Sequence, residues 1–319
     1  MKEGLAAQAA SFSVPRLEDG RELSELFFKL RLDCPELFYG VGFRYRFYPN
    51  GARMDILPEY LFEKGKIKEH QKAMKARVEK LLRPTLGMGL WQKEQYIHDF
   101  ICQNVHYDKL KKAYSHEIIG PLGQGVGVCE GIAKTVKLLC DALGIWCIIA
   151  ISDANPDKKI KYRHAWNVVR LEGHYYHLDA TFDNTLTAGG EIRYDYFNLD
   201  DKRLFQDHEP ALYAIPHCGD GNRFYYREKK LSFTRPEEVP GRAAQAVRKG
   251  KDLLFHWRGG SLNREVVNQL LEILEKEAIK KGKHARVSLN WPQAVFHVTF
   301  QEAAAGKNVV LEEANEGEK

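Results

Sequence analysis

Three residues between positions 121 and 183 are of the types that together catalyse attack on a carbonyl carbon: Cys129, His164 and Asp179. A cysteine becomes a strong nucleophile when a histidine accepts its thiol proton, and a carboxylate can orient that histidine and stabilise its charged form. A single cysteine is more often a small buried residue than a nucleophile. The residues around Cys129 reverse that expectation and predict a Cys-His-Asp triad.

Cys129 stands where a glycine-rich loop, residues 123–127, passes into a predicted helix. Apolar residues follow at helical spacing, at Ile132, Val136, Leu139 and Leu143. Gly144 is a typical C-terminal stop for that helix. Cys129 therefore falls in or beside the first helical turn, where unpaired backbone N–H groups and the positive end of the helix dipole favour a thiolate.

His164 and Asp179 fall on two runs that are predicted to be β-strands, 162–171 and 174–181. Only Glu172-Gly173 separates the two runs, and a two-residue connection that contains glycine is typical of a tight β-hairpin. The sequence therefore predicts that the histidine and the aspartate lie on adjacent antiparallel strands.

A two-residue turn also fixes which side chains share a face of the hairpin. It places Trp166 opposite Asp179 and His164 opposite Thr181, so that all four share one face. His164 and Asp179 then become diagonal neighbours with backbones about 7–8 Å apart, and their side chains can form a hydrogen bond. A turn one residue longer would place them on opposite faces.

Longer motifs surround these residues. The segment GVCEGIAKTVKLLCDALGI opens the predicted helix, and HAWNVVRLEGHYYHLDATFDN forms the predicted hairpin. Together with YIHDFICQNVHYD upstream and YDYFNLDDKRLFQDH downstream, they resemble the core of the transglutaminase-like superfamily of bacterial proteins over about residues 90–208. The resemblance implies a papain-like fold, with Cys129 as nucleophile, His164 as base and Asp179 as the orienting acid.

The resemblance leaves the reaction open, because the superfamily holds transglutaminases, peptidases, amide hydrolases and members without activity. We expect a cysteine acyltransferase or hydrolase that acts on peptide bonds or glutamine side-chain amides through a thioester at Cys129, without a cofactor. The substrate would be a protein or peptide. The alternative is an inactive module that uses the same fold to bind a peptide or protein.

Other residues are predicted to complete the site. The backbone N–H of Cys129 is the natural first donor to the oxyanion, and Gln124 or Tyr114 would supply the second. Trp166 is predicted to shield the contact between the imidazole and the carboxylate from water. The histidines and aspartates at 98–108 match no pattern of metal ligands, and no metal site is expected.

Composition narrows the class of protein. The 319 residues carry a net charge of +5, which is too mild to indicate a nucleic-acid partner. No apolar run approaches the roughly 20 residues of a membrane helix, and the N-terminus lacks the hydrophobic core of a signal peptide. Six sparse cysteines argue against a disulfide framework. We therefore expect a cytoplasmic protein with no membrane partner.

The order of predicted elements indicates an α+β protein with a transglutaminase-like, papain-like core. Residues 1–88 are an N-terminal αβ extension, residues 89–216 are the catalytic core, and residues 303–319 are a flexible tail. Residues 217–302 have the predicted order β-α-β-α-β-β of a small two-layer α/β domain, beginning with a strand at 224–233. This domain carries no catalytic pattern, and we expect it to serve oligomerisation or partner binding.

Overall fold

The computed structural model describes residues 1–17, 19–48, 51–158, 160–187 and 190–302, together with the backbone of 311–313. It divides into two compact units. Unit 1 comprises Met1–Ile151 and His164–Glu172, and unit 2 comprises Ser152–Arg163 and Gly173–Lys319. Helices and mostly antiparallel strands occupy separate stretches, which confirms the α+β class. Within the described ranges, every helix is too short or too polar to span a membrane.

Unit 1 contains five helices and seven strands among its described residues. The helices are α1 (Lys2–Ala6), α2 (Gly20–Asp33), α3 (Lys64–Leu82), α4 (Leu90–Asn104) and α5 (Cys129–Ala142). The strands are β1 (Phe12–Pro15), β2 (Gly40–Phe47), β3 (Arg53–Tyr60), β4 (His106–Tyr107), β5 (Val126–Gly127), β6 (Trp146–Ser152) and β7 (His164–Leu171).

The N-terminal strands form an antiparallel sheet of their own in the order β1-β3-β2. Its inner face is apolar, with Met54 and Ile56 of β3 buried against Leu23 of α2. Alternate residues of β3 point to this face, as the period of two along a strand requires.

The amphipathic helix α5 packs against helix α4 and strand β7 in unit 1. Ile132, Val136 and Leu139 are all buried, as their spacing predicts. The helix ends before Gly144, whose φ of 73° lies in the left-handed region that glycine adopts most easily. Helix α4 packs against α5, and the side chain of Asn167 on β7 donates a hydrogen bond of 3.0 Å to the carbonyl of Ala133.

Unit 2 contains the α-helices and strands that follow Leu171 in the chain. Its helices are α6 (Ala180–Thr187), α7 (Asp201–Leu204), α8 (Tyr225–Glu228), α9 (Val239–Lys249) and α10 (Arg264–Ile279). Its strands are β8 (His174–Leu178), β9 (Phe197–Leu199), β10 (Ser232–Phe233), β11 (Leu253–Trp257), β12 (Lys283–Asn290), β13 (Val295–Glu302) and β14 (Leu311–Glu313). Strands β8 and β9 pair antiparallel.

The last six major elements of unit 2 follow the predicted order β-α-β-α-β-β, from β10 to β13. Their four strands and β14 form a five-stranded sheet in the order β10-β11-β13-β12-β14, and its core includes Phe255 stacked on Phe296 with ring centroids 4.8 Å apart. The first strand is much shorter than the predicted one at 224–233, because residues 225–228 form α8. That turn buries Tyr226, whose hydroxyl donates to Asp195 at 3.0 Å.

The predicted division of the chain into segments 1–88, 89–216, 217–302 and 303–319 stays a prediction. Within the predicted flexible tail, Leu311–Glu313 pairs in parallel with β12. The rest of that tail lies outside the described residues.

A close contact at the start of α5 leads to a prediction. A β-carbon at Gly131 would overlap the backbone carbonyl of Ser115, so we expect Gly131→Ala to lower the free energy of unfolding by about 1–3 kcal/mol. Gly241 lies exposed in α9 with nothing within 4 Å of its own added β-carbon. Gly241→Ala should stabilise by about 0.5–1 kcal/mol. Urea denaturation measures both, and equal effects of the two substitutions would contradict the packing described.

Candidate functional site

Cys129 is the first residue of α5, directly after Val128 in extended conformation. It is the only one of the six cysteines that is partly exposed, since the other five are buried. Its side chain packs against the apolar cluster that contains Ala133 of α5 and Ala165 of β7. The thiol therefore lies in the first turn of the helix and beside the start of β7, as the sequence predicts for a nucleophile.

His164 is the first residue of β7 and is partly buried. Its ring stacks on Trp166, with centroids 6.0 Å apart and planes inclined by 14°. Trp166 itself is 1% exposed. The buried ring of the tryptophan therefore lies beside the imidazole, and its shielding of the contact between the imidazole and the carboxylate stays a prediction.

Asp179 occupies a different local structure from the predicted one. Strand β8 ends at Leu178 and α6 begins at Ala180, so the predicted continuation of the strand to Thr181 is wrong. Oδ1 of Asp179 accepts hydrogen bonds from the N–H groups of Thr181 at 2.9 Å and Phe182 at 3.1 Å. The carboxylate caps the helix, and that stabilisation ends the strand.

The turn between β7 and β8 has the predicted length. Glu172 and Gly173 both have positive φ, 50° and 89°, as a type I′ turn requires. The turn is consistent with the predicted proximity of His164 and Asp179 but does not by itself establish their distance. The complete triad therefore stays a prediction.

Sequence reasoning missed His208 as a partner of Asp179. The imidazole is 1% exposed, and its Nε2 lies 2.9 Å from Oδ2 of Asp179. Its Nδ1 lies 2.7 Å from Oδ1 of Asp207. The motif YDYFNLDDKRLFQDH ends at this histidine, but no periodicity in the sequence connects it with Asp179.

The second carboxylate, Asp207, is held in turn by further buried groups. The hydroxyl of Tyr196 donates to it at 2.6 Å, and the side chain of Gln293 donates at 3.4 Å. Burial, and then the charge of Asp207, raise the pKa of Tyr196 well above its usual value, so the phenol stays protonated and donates. This chain of hydrogen bonds fixes His208 from the side opposite Asp179.

A buried group of charges lies at the start of α5. Lys134 has a fully buried side chain, and its Nζ is 2.8 Å from Glu117 and 2.7 Å from Glu130. Arg31 forms an ion pair with Glu117 as well. Burial alone would raise the pKa of Glu130, but the charge of Lys134 and a hydrogen bond from His116 bring it down to about 2. Glu130, next to Cys129, is therefore ionised at neutral pH.

The two candidates for the second oxyanion donor lie in the segment before α5. Tyr114 belongs to the short 3₁₀ turn Ala113–His116, and the carbonyl of Ser115 in this turn accepts a hydrogen bond of 3.0 Å from the N–H of Val128. Gln124 is exposed at the end of the π-helical turn Gly120–Gln124. The choice between them stays a prediction.

One group of residues in unit 2 has donor atoms close enough to hold a metal ion. His177, Asp201 and Cys218 offer ligand atoms within 4.8 Å of one another. Hydrogen bonds already account for this arrangement, because Asp201 accepts from Nε2 of His177 at 2.8 Å and from the N–H of Cys218 at 3.2 Å. Nδ1 of His217 lies 2.5 Å from the other oxygen of Asp201.

The charges beside Cys129 generate a prediction about pH. The folded-state pKa of Glu130, about 2, is below its ordinary value of 4.5, so its contribution to stability is present above pH 4.5 and is lost as the pH falls towards 2. Glu130→Gln should lower the free energy of unfolding at pH 7 and remove up to about 3 kcal/mol of the loss on acidification.

The matched control is Glu265→Gln, which replaces an exposed glutamate in the first turn of α10. Its denaturation curves at pH 7 and pH 3 should differ by as much as those of the unaltered protein. If Glu130→Gln shows the same pH dependence as this control, the charge of Glu130 is not stabilised in the way described.

Comparisons with known proteins bear on the same region. Residues 74–180 match the model of the transglutaminase-like superfamily, a range that includes Cys129, His164 and Asp179. A search of curated proteins found no match to the chain. Similar solved structures include a protein described as a TGase, with 9% identity and a TM-score of 0.30 over 54% of this chain and 50% of that one.

Two further structures are similar to the chain. A candidate cysteine protease from Cytophaga hutchinsonii has 18% identity and a TM-score of 0.28, over 44% of this chain and 62% of its own. A candidate protease from Parabacteroides distasonis has 14% identity and a TM-score of 0.27, over 45% and 37%. The chain spans less than two thirds of each of these three structures. The family model and the motifs around Cys129 therefore agree in the range 74–180, which is similar to the transglutaminase-like superfamily.

Proposed function

We propose that this protein is a cysteine-dependent enzyme that transfers or hydrolyses acyl groups of peptide or glutamine side-chain amides. The observation that carries the proposal is the position of Cys129. It is the one partly exposed thiol, it opens α5, and it packs beside the strand that begins with His164. A thiol in a first helical turn is favoured as a thiolate.

The proposed reaction passes through a thioester. His164 accepts the proton of Cys129, and the thiolate sulfur bonds to the amide carbonyl carbon, whose oxygen becomes an oxyanion near the N–H of Cys129. The imidazolium then protonates the leaving nitrogen as the carbon–nitrogen bond breaks. Water or an amine attacks the thioester, gives a proton to His164, and releases the acid or the new amide together with the cysteine.

Asp179 is proposed to orient His164 and stabilise its charge, as the aspartate does in other triads. Its own placement supports that role, because both carboxylate oxygens are held, one by the start of α6 and the other by His208. A buried carboxylate with this many hydrogen-bond partners has a fixed orientation.

His208 is a positioning residue in this proposal. Both of its ring nitrogens face carboxylate oxygens at hydrogen-bond distance, and a neutral imidazole has only one N–H. The trio of Asp179, His208 and Asp207 must therefore hold two protons between its three groups.

The proposed substrate is a protein or peptide, and the alternative function is binding of such a partner without catalysis. The alternative predicts that Cys129→Ser binds the partner as tightly as the unaltered protein and that neither form turns it over. The six free thiols agree with the proposed cytoplasmic location, since they are stable in a reducing compartment.

A panel of glutamine-containing peptides, with and without a labelled primary amine, tests the proposed reaction. Cys129→Ser and His164→Ala should abolish release of ammonia or peptide, and Asp179→Asn should reduce the rate by orders of magnitude, about 10⁴-fold in the best-studied triad. Incorporation of the amine identifies a transglutaminase, and release of acid identifies a hydrolase. Activity that survives in Cys129→Ser would contradict the thioester mechanism.

Two substitutions of His208 test its positioning role. The amide of His208→Gln can reach towards Asp179, whereas the shorter amide of His208→Asn lies nearer the Asp207 side. We expect His208→Asn to slow turnover about 10- to 100-fold, the range for loss of an outer hydrogen bond to a working side chain, and His208→Gln to retain most of the rate.

The matched control for His208 is His297→Asn, which removes another histidine–carboxylate pair of unit 2, with Asp252 at 2.6 Å. Its turnover should not change. Thermal unfolding of all three variants separates rate from stability. Equal rates in His208→Gln and His208→Asn would contradict a role that acts through Asp179.

A further inference from the structure

A cavity of about 700 Å³ opens in unit 2, and its lining includes none of the residues assigned to the thiol chemistry. Four cationic side chains line it: Arg227, Lys230, Arg242 and Arg258. The one acidic residue in its lining is Glu238. A cleft of this volume accommodates a small molecule of up to nucleotide size.

A fifth cation, Arg203, is not part of the lining but interacts electrostatically with Arg227 and Arg258, which are. Nη2 of Arg203 lies 2.5 Å from Nε2 of His256, and the guanidinium of Arg203 is 4.4 Å above the ring of Phe224. Burial, and then the charges of Arg203 and Arg227, lower the pKa of His256 to about 2. The histidine is therefore neutral at pH 7, so it neither adds to nor reduces the positive charge of the arginines.

The hydrogen bonds of His256 leave the hydroxyl hydrogen of Ser232 available to a ligand in the cavity. Because Nε2 of His256 accepts from Arg203, its proton resides on Nδ1, which donates to Oγ of Ser232 at 2.7 Å. Ser232 lines the cavity. The hydroxyl oxygen of Ser232 accepts the hydrogen bond from His256, so the hydroxyl hydrogen of Ser232 can be donated to a ligand.

Two arginine donors at this place have no hydrogen-bond partner among the described residues. They are Nε of Arg227 and Nη1 of Arg203, and both atoms are buried. Burial, and then the charge of Arg227, lower the pKa of Arg203 to about 10, although the carboxylate of Asp200 opposes that change. A buried charged donor without a partner is unfavourable, and the negative charge of an anion bound in the cavity would offset the charge of these arginines.

We propose that this cavity binds a small molecule that carries two or more phosphate groups. Five cations, counting Arg203, face two carboxylates, Glu238 and Asp200, and the excess of positive charge matches an oligophosphate. Guanidinium groups bind phosphate oxygens in pairs, which suits arginine better than lysine for this purpose. The site is independent of the proposed thiol chemistry and would exist in an inactive member of the fold.

Calorimetric titration of the full chain with sodium tripolyphosphate, at fixed ionic strength, tests the proposal. Arg242 and Arg248 are both exposed on α9, but only Arg242 lines the cavity. We expect Arg242→Gln to weaken binding about tenfold, the loss of a charge-assisted hydrogen bond, and Arg248→Gln to leave it unchanged.

Three outcomes would overturn the proposal. If tripolyphosphate does not bind at millimolar concentration, the cavity is not an anion site. If Arg242→Gln and Arg248→Gln weaken binding equally, the attraction is a general effect of surface charge. If citrate at the same ionic strength binds as tightly as tripolyphosphate, the site selects charge and not phosphate.

Discussion

The first turn of α5 can reach its position only because residue 131 is a glycine. The backbone of the Ala113–His116 turn lies against Gly131 so closely that any β-carbon would overlap the carbonyl of Ser115. The same carbonyl accepts the N–H of Val128, the residue before Cys129. This contact fixes the direction of the helix start and with it the direction of the thiol. The proposed chemistry depends on that direction, because a nucleophile must be held close to its base and its substrate.

The buried charges beside Cys129 and the buried carboxylate of Asp179 are stabilised in different ways. Beside Cys129, Lys134 is buried between Glu117 and Glu130, and each charge has an opposite partner within 3 Å. The donors to Asp179 include two backbone N–H groups and one histidine. Ion pairs in the first case and hydrogen bonds in the second offset the cost of burying these charges. Rigid surroundings of this kind are what an active site needs to hold its side chains.

The sequence predicted the elements whose pattern is local. The period of α5, its glycine stop and the two-residue turn at Glu172-Gly173 all agree with the structure. The sequence predicts a strand over 174–181 that includes Asp179, whereas the carboxylate of this residue caps α6. It also predicts a strand over 224–233 that includes Tyr226, although this residue lies in a helical turn and its hydroxyl contacts Asp195.

Two features could not be predicted because they join residues far apart in the chain. His208 meets Asp179 across 29 positions, and no periodicity links them. The cationic cavity collects side chains from α8, α9 and the end of β11, which are adjacent only after the sheet has formed. Long-range contacts of this type depend on tertiary packing and leave no trace in the local pattern.

The proposed reaction requires Cys129 to be a nucleophile that His164 activates. The pH profile of iodoacetamide labelling, with the modified cysteine identified by mass spectrometry, measures this activation. The other five thiols are buried, and burial raises the pKa of Cys218. We predict that Cys129 alone labels fast at pH 6 and that His164→Ala slows it. Slow labelling of all six cysteines, with a midpoint near the ordinary thiol pKa of about 8.5, would contradict the claim and favour the binding function.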